Sequence, residues 1–239
     1  MSGANDENQG LELSRIIFIG RTFEEYKVMF GLTEEEIRAY EILDCPSGAC
    51  SFTAIANGLG GRVTAADIAY YHAVEELNDK GLQDIEHAIE SIAKVKNKYV
   101  WDYFSNVNEL KDARISALMN SVQDMKNSPQ SYNAVTLPLL PFANNQFDLT
   151  LSAHFLFTYA DRLDFEFHKQ TIQELLRVTR KEIRIFPLVD LTGNRYEHLD
   201  TIIHYLQEEG CTVTEVKVDY EFQRYANRML RVSKCEQDY

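Results

Sequence analysis

Residues 41–67 read EILDCPSGACSFTAIANGLGGRVTAAD, and this stretch decides the fold. It begins with residues 41–45, a short run around two aliphatic side chains that predicts a buried strand, and a turn containing proline and glycine follows. Residues 50–57 have the spacing of a short helix, and residues 62–66 predict a second strand that ends at Asp67. A strand, a helix and a strand within about 30 residues form a βαβ unit, which is right-handed in nearly all proteins.

The alternation of strands and helices continues to the end of the chain. Short apolar runs predict further strands, amphipathic stretches predict helices, and the last two strands are close enough to form a hairpin. Together with the first unit they predict an α/β fold: a Rossmann-like, doubly wound, mostly parallel sheet of about seven strands with a C-terminal antiparallel hairpin. The further predicted strands are residues 134–137, 147–153, 182–188, 216–222 and 227–233, and the predicted helices are residues 165–178 and 196–206.

Two regions do not follow this alternation. Residues 70–131 are polar with apolar side chains at helical spacing, which predicts two to four helices inserted between the second and third strands. Connections of this length are uncommon and usually form a lid or a recognition element. Residues 1–40 predict an N-terminal helical flap over the domain formed by residues 41–239, with helices beginning after Thr22 and Thr33.

Composition narrows the class of protein. The 239 residues suffice for one sizeable domain, and the formal net charge of −13 argues against a nucleic-acid partner because an acidic surface repels phosphate backbones. No apolar run approaches the roughly 20 residues of a membrane span, and the polar N-terminus has no secretory signal pattern. We therefore predict a cytoplasmic protein with reduced thiols and no metal site, of undetermined oligomeric state. Its four cysteines, which match no disulfide or zinc pattern, are Cys45, Cys50, Cys211 and Cys235.

The turn after the first strand is the expected ligand site. In open parallel sheets ligands bind beyond the carboxyl ends of the strands, and a helix N-terminus offers free N–H groups there. Gly48 permits close approach of a ligand, and Asp67 is placed to accept hydrogen bonds from ribose hydroxyls. The stretch lacks the G-x-G-x-x-G dinucleotide pattern, so a βαβ unit with a tight turn and no ligand stays an alternative.

Several stretches resemble class I methyltransferases that depend on S-adenosylmethionine (SAM). ILDCPSGACSF resembles a degenerate form of their first motif, in which an acidic residue ends the first strand before a glycine-rich loop. LPFANNQFDLTLSAHFLF resembles their stretch before the fourth strand, and the resemblance extends over about residues 35–235. An uncharacterised bacterial methyltransferase-like family is similar in the four stretches GRTFEEY, SAHFLFTY, EIRIFPL and VDYEFQRYANRML.

This resemblance implies SAM as the cofactor, and it assigns roles to residues. The loop around Gly48 surrounds the methionine part, Asp67 holds the ribose, and Ile68 packs on the adenine. Pro46 departs from the family pattern, since it stands where a glycine is usual and has no N–H. The cofactor-binding residues implied are Asp44, Cys45, Pro46, Ser47, Gly48, Ala49, Asp67, Ile68, Ser152 and Arg21.

His154 and Arg21 are the candidates for chemistry beyond cofactor binding. His154 follows the fourth strand, where the acceptor is expected, so we predict a catalytic general base. The alternative is a histidine that packs among neighbouring aromatic side chains. Arg21 lies in the flap and is expected to pair with the SAM carboxylate or with an acidic substrate; the alternative is a solvated surface arginine.

The leading hypothesis is a SAM-dependent methyltransferase with a small-molecule acceptor. Because Pro46 makes the loop atypical, a methyltransferase-like binding or scaffold protein without turnover is the alternative. A nucleotide-dependent enzyme on the same sheet is disfavoured by Asp44 and by the absence of a Gly-Lys-Ser/Thr loop. Methyl transfer needs positioning and water exclusion more than acid–base groups, so the sequence does not identify the acceptor.

Overall fold

A computed structural model of the chain describes residues 17–234. Within that range, helices separate most successive strands, with a helical pair between the second and third strands, while the fourth strand follows the third and the seventh follows the sixth without an intervening helix. The elements are α1 (Phe23–Phe30), α2 (Glu34–Ala39), β1 (Glu41–Asp44), α3 (Phe52–Gly58), β2 (Arg62–Asp67), α4 (Val74–Lys94), α5 (Val107–Asn127), β3 (Tyr132–Ala134), β4 (Phe147–Ala153), α6 (Phe165–Val178), β5 (Thr179–Phe186), α7 (Leu199–Glu208), β6 (Cys211–Lys217) and β7 (Arg228–Lys234).

The strands form one seven-stranded sheet in the order β3-β2-β1-β4-β5-β7-β6. The first five strands in this order are parallel, and β7 is antiparallel to both β5 and β6. The order reverses between β1 and β4, which pair directly at the centre of the sheet. In sheets of this kind the ligand crevice lies at that reversal, beyond the carboxyl ends of the strands. The predicted fold class, including the antiparallel C-terminal hairpin, is confirmed.

The N-terminal helices are fixed by local capping and by packing. Thr22 and Glu25 form a capping box at the start of α1, where the Thr22 hydroxyl accepts from the Glu25 N–H at 3.2 Å. Helix α1 ends at Gly31, whose φ of 56° lies in the left-handed region. Its aromatic face stacks on α3, since Tyr26 lies 4.9 Å from Phe52 between ring centroids. This packing joins the N-terminal helices to the core of the sheet, and the division at residue 40 stays a prediction.

The predicted insertion consists of two long helices, α4 and α5, with 21 residues each. They pack closely, because a Cβ atom added to Gly81 would lie 2.6 Å from a Leu118 methyl carbon. Helix α5 also contacts α3, which places the insertion over the same face of the sheet as α1. Among residues 17–234, no helix has the length and the apolar character needed to cross a membrane.

The third strand lies earlier in the chain than the pattern predicted. It spans Tyr132–Ala134 instead of residues 134–137, and its ladder with β2 ends where Ala134 pairs with Asp67. The Tyr132 hydroxyl donates to Asp124 at 2.8 Å, which fixes the start of the strand against α5. The residues that follow turn back, as the Leu139 N–H donates to the Thr136 carbonyl at 3.2 Å.

The sixth strand is also displaced, because it spans Cys211–Lys217 and not residues 216–222. The alternation that suggested the later range is real, but it places Tyr220 and Phe222 against the insertion instead of against a partner strand. Phe222 stacks on Tyr99 at 4.7 Å between centroids, and its carbonyl accepts from the Val100 N–H at 2.7 Å. Aromatic packing in a connecting segment therefore produced a pattern that is typical of a strand.

Candidate functional site

A cavity of about 550 Å³ lies at the carboxyl ends of the parallel strands, within the size range of ligand sites. Its lining divides into two walls. The loop wall comes from the loops after β1 and β2, and the insertion wall comes from α4, α5 and the segment between them. The loop wall is Cys45, Pro46, Ser47, Gly48, Asp67 and Ile68, and the insertion wall is Leu77, Lys80, Ala88, Ile89, Ile92, Tyr99, Leu110 and Arg114. Further parts of the lining come from the N-terminal segment, from residues 135–137 and from residues 153–159, with single residues such as His72 and Phe222.

Gly48 connects the two loops of the loop wall. Its φ of +57° lies in the left-handed region, which side-chain-bearing residues rarely adopt. The Gly48 N–H donates to the Asp67 carboxylate at 2.8 Å, and its carbonyl accepts from the Tyr70 hydroxyl at 2.8 Å. The turn after β1 is therefore held in place by residues that follow β2.

Asp67 ends β2 with its carboxylate facing the cavity. It accepts from the Gly48 N–H and, at 2.8 Å, from the Ala69 N–H, which leaves acceptor lone pairs for a ligand. Burial raises the pKa of Asp67 although both N–H groups act to lower it. Beside it Ile68 lines the cavity with 61% of its surface exposed. A buried hydrogen-bond acceptor next to an open apolar surface is suited to a ligand with a sugar and a flat ring.

Asp44 lies behind the loop wall and does not line the cavity. It is fully buried, and its carboxylate accepts from the Ser47 hydroxyl at 2.6 Å and from the Tyr26 hydroxyl at 3.0 Å. Burial raises the pKa of Asp44 to about 7, and the nearby charge of Asp67 adds to this effect. The network joins α1 to the turn, so Asp44 supports the loop from the rear.

The backbone of the turn is largely engaged with the sheet. The Cys45 N–H donates to Leu151 at 2.9 Å, the Ser47 N–H donates to Ala66 at 3.1 Å, and Pro46 has no N–H. The thiols of Cys45 and Cys50 are buried, and burial raises both pKa values, that of Cys50 to about 12. Neither thiol is therefore a nucleophile at neutral pH, and the reduced state of the cysteines stays a prediction.

Arg21 lines the cavity from the N-terminal segment. Its backbone is fixed, because its N–H donates to the Cys50 sulfur at 3.2 Å and its carbonyl accepts from the Ser51 N–H at 3.0 Å. Its Nε is buried, and within residues 17–234 it has no hydrogen-bond partner. The positive charge acts to lower the pKa of both His154 and Tyr99. Arg21 is therefore an available cation inside the cavity.

His154 follows β4 and lines the cavity with a backbone φ of 50°. Its N–H donates to the Phe186 carbonyl at 2.6 Å, and its ring packs edge-on against the Phe186 ring at 5.3 Å. Burial, followed by the charges of Arg21 and Arg114, holds the pKa of His154 well below its usual range. The imidazole is thus neutral at physiological pH, and its buried Nε2 has no partner in the described part of the chain.

Two further cations line the insertion wall, and each has a carboxylate partner. Arg114 binds Glu25 through two hydrogen bonds of 2.6 and 2.8 Å, and the Tyr220 hydroxyl donates to the same carboxylate at 2.7 Å. Burial alone would raise the pKa of Glu25, but Arg114 lowers it to about 2. Lys80 contacts Asp84 at 2.5 Å. The charges of this wall are therefore balanced within the protein.

The structure gathers most of the predicted site residues around one cavity. Ser152 and Ala49 are buried but do not line it, so direct cofactor contact by these two residues and by Asp44 stays a prediction. In residues 17–234 no three His, Cys, Asp or Glu side chains are grouped so that they could hold a metal ion. The predicted residues that line the cavity are Arg21, Cys45, Pro46, Ser47, Gly48, Asp67, Ile68 and His154.

Sequence reasoning missed several contributors to the site. Tyr26 had only the appearance of a core residue in α1, yet its hydroxyl supports Asp44. Thr158 lines the cavity four residues after His154, and its buried hydroxyl has no partner within the described range. Its position in SAHFLFTY was the only signal available. No sequence signal identified Arg114, because a single arginine in a polar helix is usually exposed to solvent.

Two solved structures of similar proteins are methyltransferases. The magnesium protoporphyrin IX methyltransferase ChlM of Synechocystis PCC 6803, with bound SAM, aligns with a TM-score of 0.46 and 10% identity over 89% of this chain and 90% of its own. The 1,6-didemethyltoxoflavin-N1-methyltransferase of Burkholderia thailandensis, with bound S-adenosylhomocysteine, aligns with a TM-score of 0.48 and 12% identity over 88% and 77%. The fold itself is defined by the strand order and pairing of this chain's sheet.

Sequence comparison identifies a relative over nearly the whole chain. No protein-family model matches the sequence. The uncharacterized protein MJ0045 of Methanocaldococcus jannaschii is 35% identical over 225 residues, which cover 94% of this chain and 99% of the relative. Identity at this level over full length establishes common ancestry and a common fold. The chain belongs to the same family as MJ0045 of Methanocaldococcus jannaschii.

Proposed function

We propose that the protein is a SAM-dependent methyltransferase that acts on a small-molecule acceptor. The observation that carries the proposal is the loop wall, where Gly48 and Asp67 form a cradle at the point of strand-order reversal. The acidic residue at the end of β1 is the feature that favours SAM over a dinucleotide. Asp44 occupies that position and is buried behind the turn.

The charges of the cavity fit SAM. The cofactor carries a sulfonium and an ammonium group as well as one carboxylate, so it needs both acidic and basic partners. Asp67 is a buried carboxylate with no ion-pair partner within residues 17–234, and Arg21 is a cation with an unpartnered Nε in the same range. In the proposal Asp67 binds the ribose hydroxyls, Ile68 packs on the adenine and Arg21 binds the carboxylate. When bound, SAM supplies an electrophilic methyl group.

The protein's own contribution is to position the reactants and to exclude water. The insertion wall is apolar apart from its paired cations, so it removes water from the acceptor. His154 presents a neutral imidazole that orients the acceptor and takes its proton. A weak base suffices for this, because an acceptor atom becomes strongly acidic as it gains a methyl group from a sulfonium. Orientation and desolvation then provide most of the rate enhancement.

Isothermal calorimetry with S-adenosylhomocysteine (SAH) tests the cofactor assignment. We expect saturable binding, and Asp67→Ala weakens it by about 10- to 150-fold, since hydrogen bonds to a charged group contribute about 1.5–3 kcal/mol. Asp148→Ala is the matched control. It removes another buried carboxylate, near the amino end of β4 and away from the cavity, and should leave the affinity unchanged. Absence of binding at millimolar SAH contradicts the proposal.

A binding or scaffold protein without turnover is the second candidate. It is favoured by Pro46, which lacks an N–H, and by neighbouring N–H groups that are already bonded to the sheet. This candidate predicts SAH binding without methyl transfer, or a stable protein partner without SAH binding. A methylated product formed from labelled SAM and a metabolite extract eliminates it.

A further inference from the structure

The acceptor's chemical class follows from which cavity groups have partners. The cations of the insertion wall, Arg114 and Lys80, are already paired with Glu25 and Asp84. Bound SAM would engage the remaining charges of Asp67 and Arg21. His72 also lines the cavity, but it is solvent-exposed and lies 3.8 Å from Glu76. An additional charged group on the acceptor would thus find no unpaired protein side chain of opposite charge, which is unfavourable in a low-dielectric space.

Two neutral polar atoms remain unpartnered in the lining. They are the His154 Nε2 and the Thr158 Oγ1, both buried and both without a hydrogen-bond partner within residues 17–234. A buried polar atom without a partner is destabilising, because it has lost its bonds to water and gained none in the protein. Both belong to the residues that follow β4, beside the reversal in strand order where the transferred methyl group is expected. A ligand that bonds to both atoms recovers this free energy.

We propose that His154 and Thr158 form a polar anchor for an uncharged, largely apolar acceptor that carries a hydroxyl group. This inference rests on the proposed methyltransferase function. A hydroxyl matches both atoms, because it donates to the imidazole Nε2 and accepts from the threonine O–H. The apolar body of the acceptor packs on the insertion wall, where Tyr99 stacks on Phe222 beside Leu110.

The reaction at this anchor balances in atoms and charge. The hydroxyl oxygen forms a bond to the methyl carbon while the carbon–sulfur bond breaks and its electron pair returns to sulfur. The sulfonium becomes a neutral thioether, and the hydroxyl proton passes to the His154 Nε2. Thr158 acts by positioning, since its O–H binds one lone pair of the acceptor oxygen and leaves the other lone pair to attack the methyl carbon.

Binding of a matched pair of probes to the SAH-saturated protein tests the inference. The probes are 2-naphthol, which is neutral with a hydroxyl, and 2-naphthoate, which has the same rings with a carboxylate. We expect 2-naphthol to bind at least about tenfold more tightly. Thr158→Val and His154→Phe should each weaken 2-naphthol binding by about 5- to 150-fold, as expected when a buried partner is left unbonded.

Thr171→Val is the matched control, because it removes a buried, unpartnered hydroxyl on α6 that does not line the cavity. It should leave 2-naphthol affinity unchanged. Failure of SAH to bind overturns the proposed function and, with it, this inference. Normal SAH binding overturns this inference alone if 2-naphthol fails to bind, if 2-naphthoate binds as tightly, or if Thr158→Val behaves like Thr171→Val.

Discussion

The two walls of the cavity are built in different ways. The loop wall is assembled from neighbouring parts of the chain, since Gly48 and Asp67 are 19 residues apart and are joined by a backbone N–H. The insertion wall depends on contacts between distant segments. Glu25 binds Arg114 across 89 positions and Tyr220 across 195 positions. One wall is therefore determined mainly by backbone conformation, and the other mainly by buried side-chain pairing.

This difference separates the expected effects of substitutions. Changes in the buried ion pairs of the insertion wall leave a buried charge without its partner, so they act first on the free energy of unfolding. Changes in or behind the loop wall alter the electrostatics of two buried carboxylates, Asp44 and Asp67. They therefore act on the pH dependence of stability and on ligand affinity. Three measurements, in order of decreasing effect, test this division.

Arg114→Met gives the largest expected effect. It leaves the Glu25 carboxylate buried without its guanidinium partner, which costs about 3–5 kcal/mol of unfolding free energy. Urea denaturation at neutral pH measures the loss. Lys126→Met is the control, because it breaks an exposed pair with Glu75 and should leave the free energy of unfolding almost unchanged. Equal losses of unfolding free energy for the two variants would show that the buried Glu25–Arg114 pair does not stabilise the insertion wall more than an exposed pair does.

Asp44→Asn gives the next effect, and it depends on pH. In the native protein the pKa of Asp44 is about 7, against 3.8 for the free side chain. From pH 4 to pH 7 the native state therefore retains a proton that the unfolded state has released, so the Asp44 carboxyl lowers stability as pH rises. The variant lacks this titration. Its free energy of unfolding should therefore rise relative to that of wild type by on the order of 2–4 kcal/mol as the pH is raised from 4 to 8.

Comparing the two proteins at each pH by urea denaturation cancels the titration of the groups that do not interact with Asp44. The asparagine can still accept from the Tyr26 hydroxyl, so the network behind the turn is retained. Parallel stability curves for wild type and variant would mean that Asp44 is ionised in the folded protein at pH 4. Burial of the Asp44 carboxylate behind the loop wall would then not destabilise the ligand-free protein.

Gly20→Ala gives the smallest of the three effects and tests how the N-terminal segment is fixed to the turn after β1. A Cβ atom at this position would lie 1.9 Å from the Ala49 carbonyl oxygen, so the N-terminal segment would have to move away from the turn. We expect a loss of about 1–3 kcal/mol by thermal or urea unfolding. Gly58→Ala is the control, with nothing within 4 Å of the added atom and no expected loss. A tolerated Gly20→Ala would show that the segment is not fixed to the turn.

The sequence predicted the parts of the molecule that depend on local signals. The ranges of β4 and α6 match the structure because each combines an apolar pattern with clear boundaries, and Asp67 ends β2 as expected. The strand at residues 216–222 was wrong because buried Tyr220 and Phe222 alternate with polar residues without pairing to a strand. Packing against the distant segment between α4 and α5 leaves the same pattern as packing within a sheet.

The candidate site divides in the same way. Gly48 and Asp67 were identified because the turn and the strand end define their positions before any tertiary contact is known. Thr158 and Arg114 were not identified, because only the folded chain brings them to the cavity. Arg21 was recognised as a cation near the site, but its unpartnered state depends on the packing of its neighbours.

The position of the insertion in the sheet has an evolutionary consequence. The chain leaves the sheet after Asp67 and returns at Tyr132, on strands that lie side by side, so the intervening residues begin and end at one edge. Exchange of residues 72–131 between relatives would change the insertion wall and preserve the loop wall with Ile68 and Tyr70, provided that Arg114 still meets Glu25. Relatives can thus differ in ligand specificity through this segment while the turn of the βαβ unit stays the same.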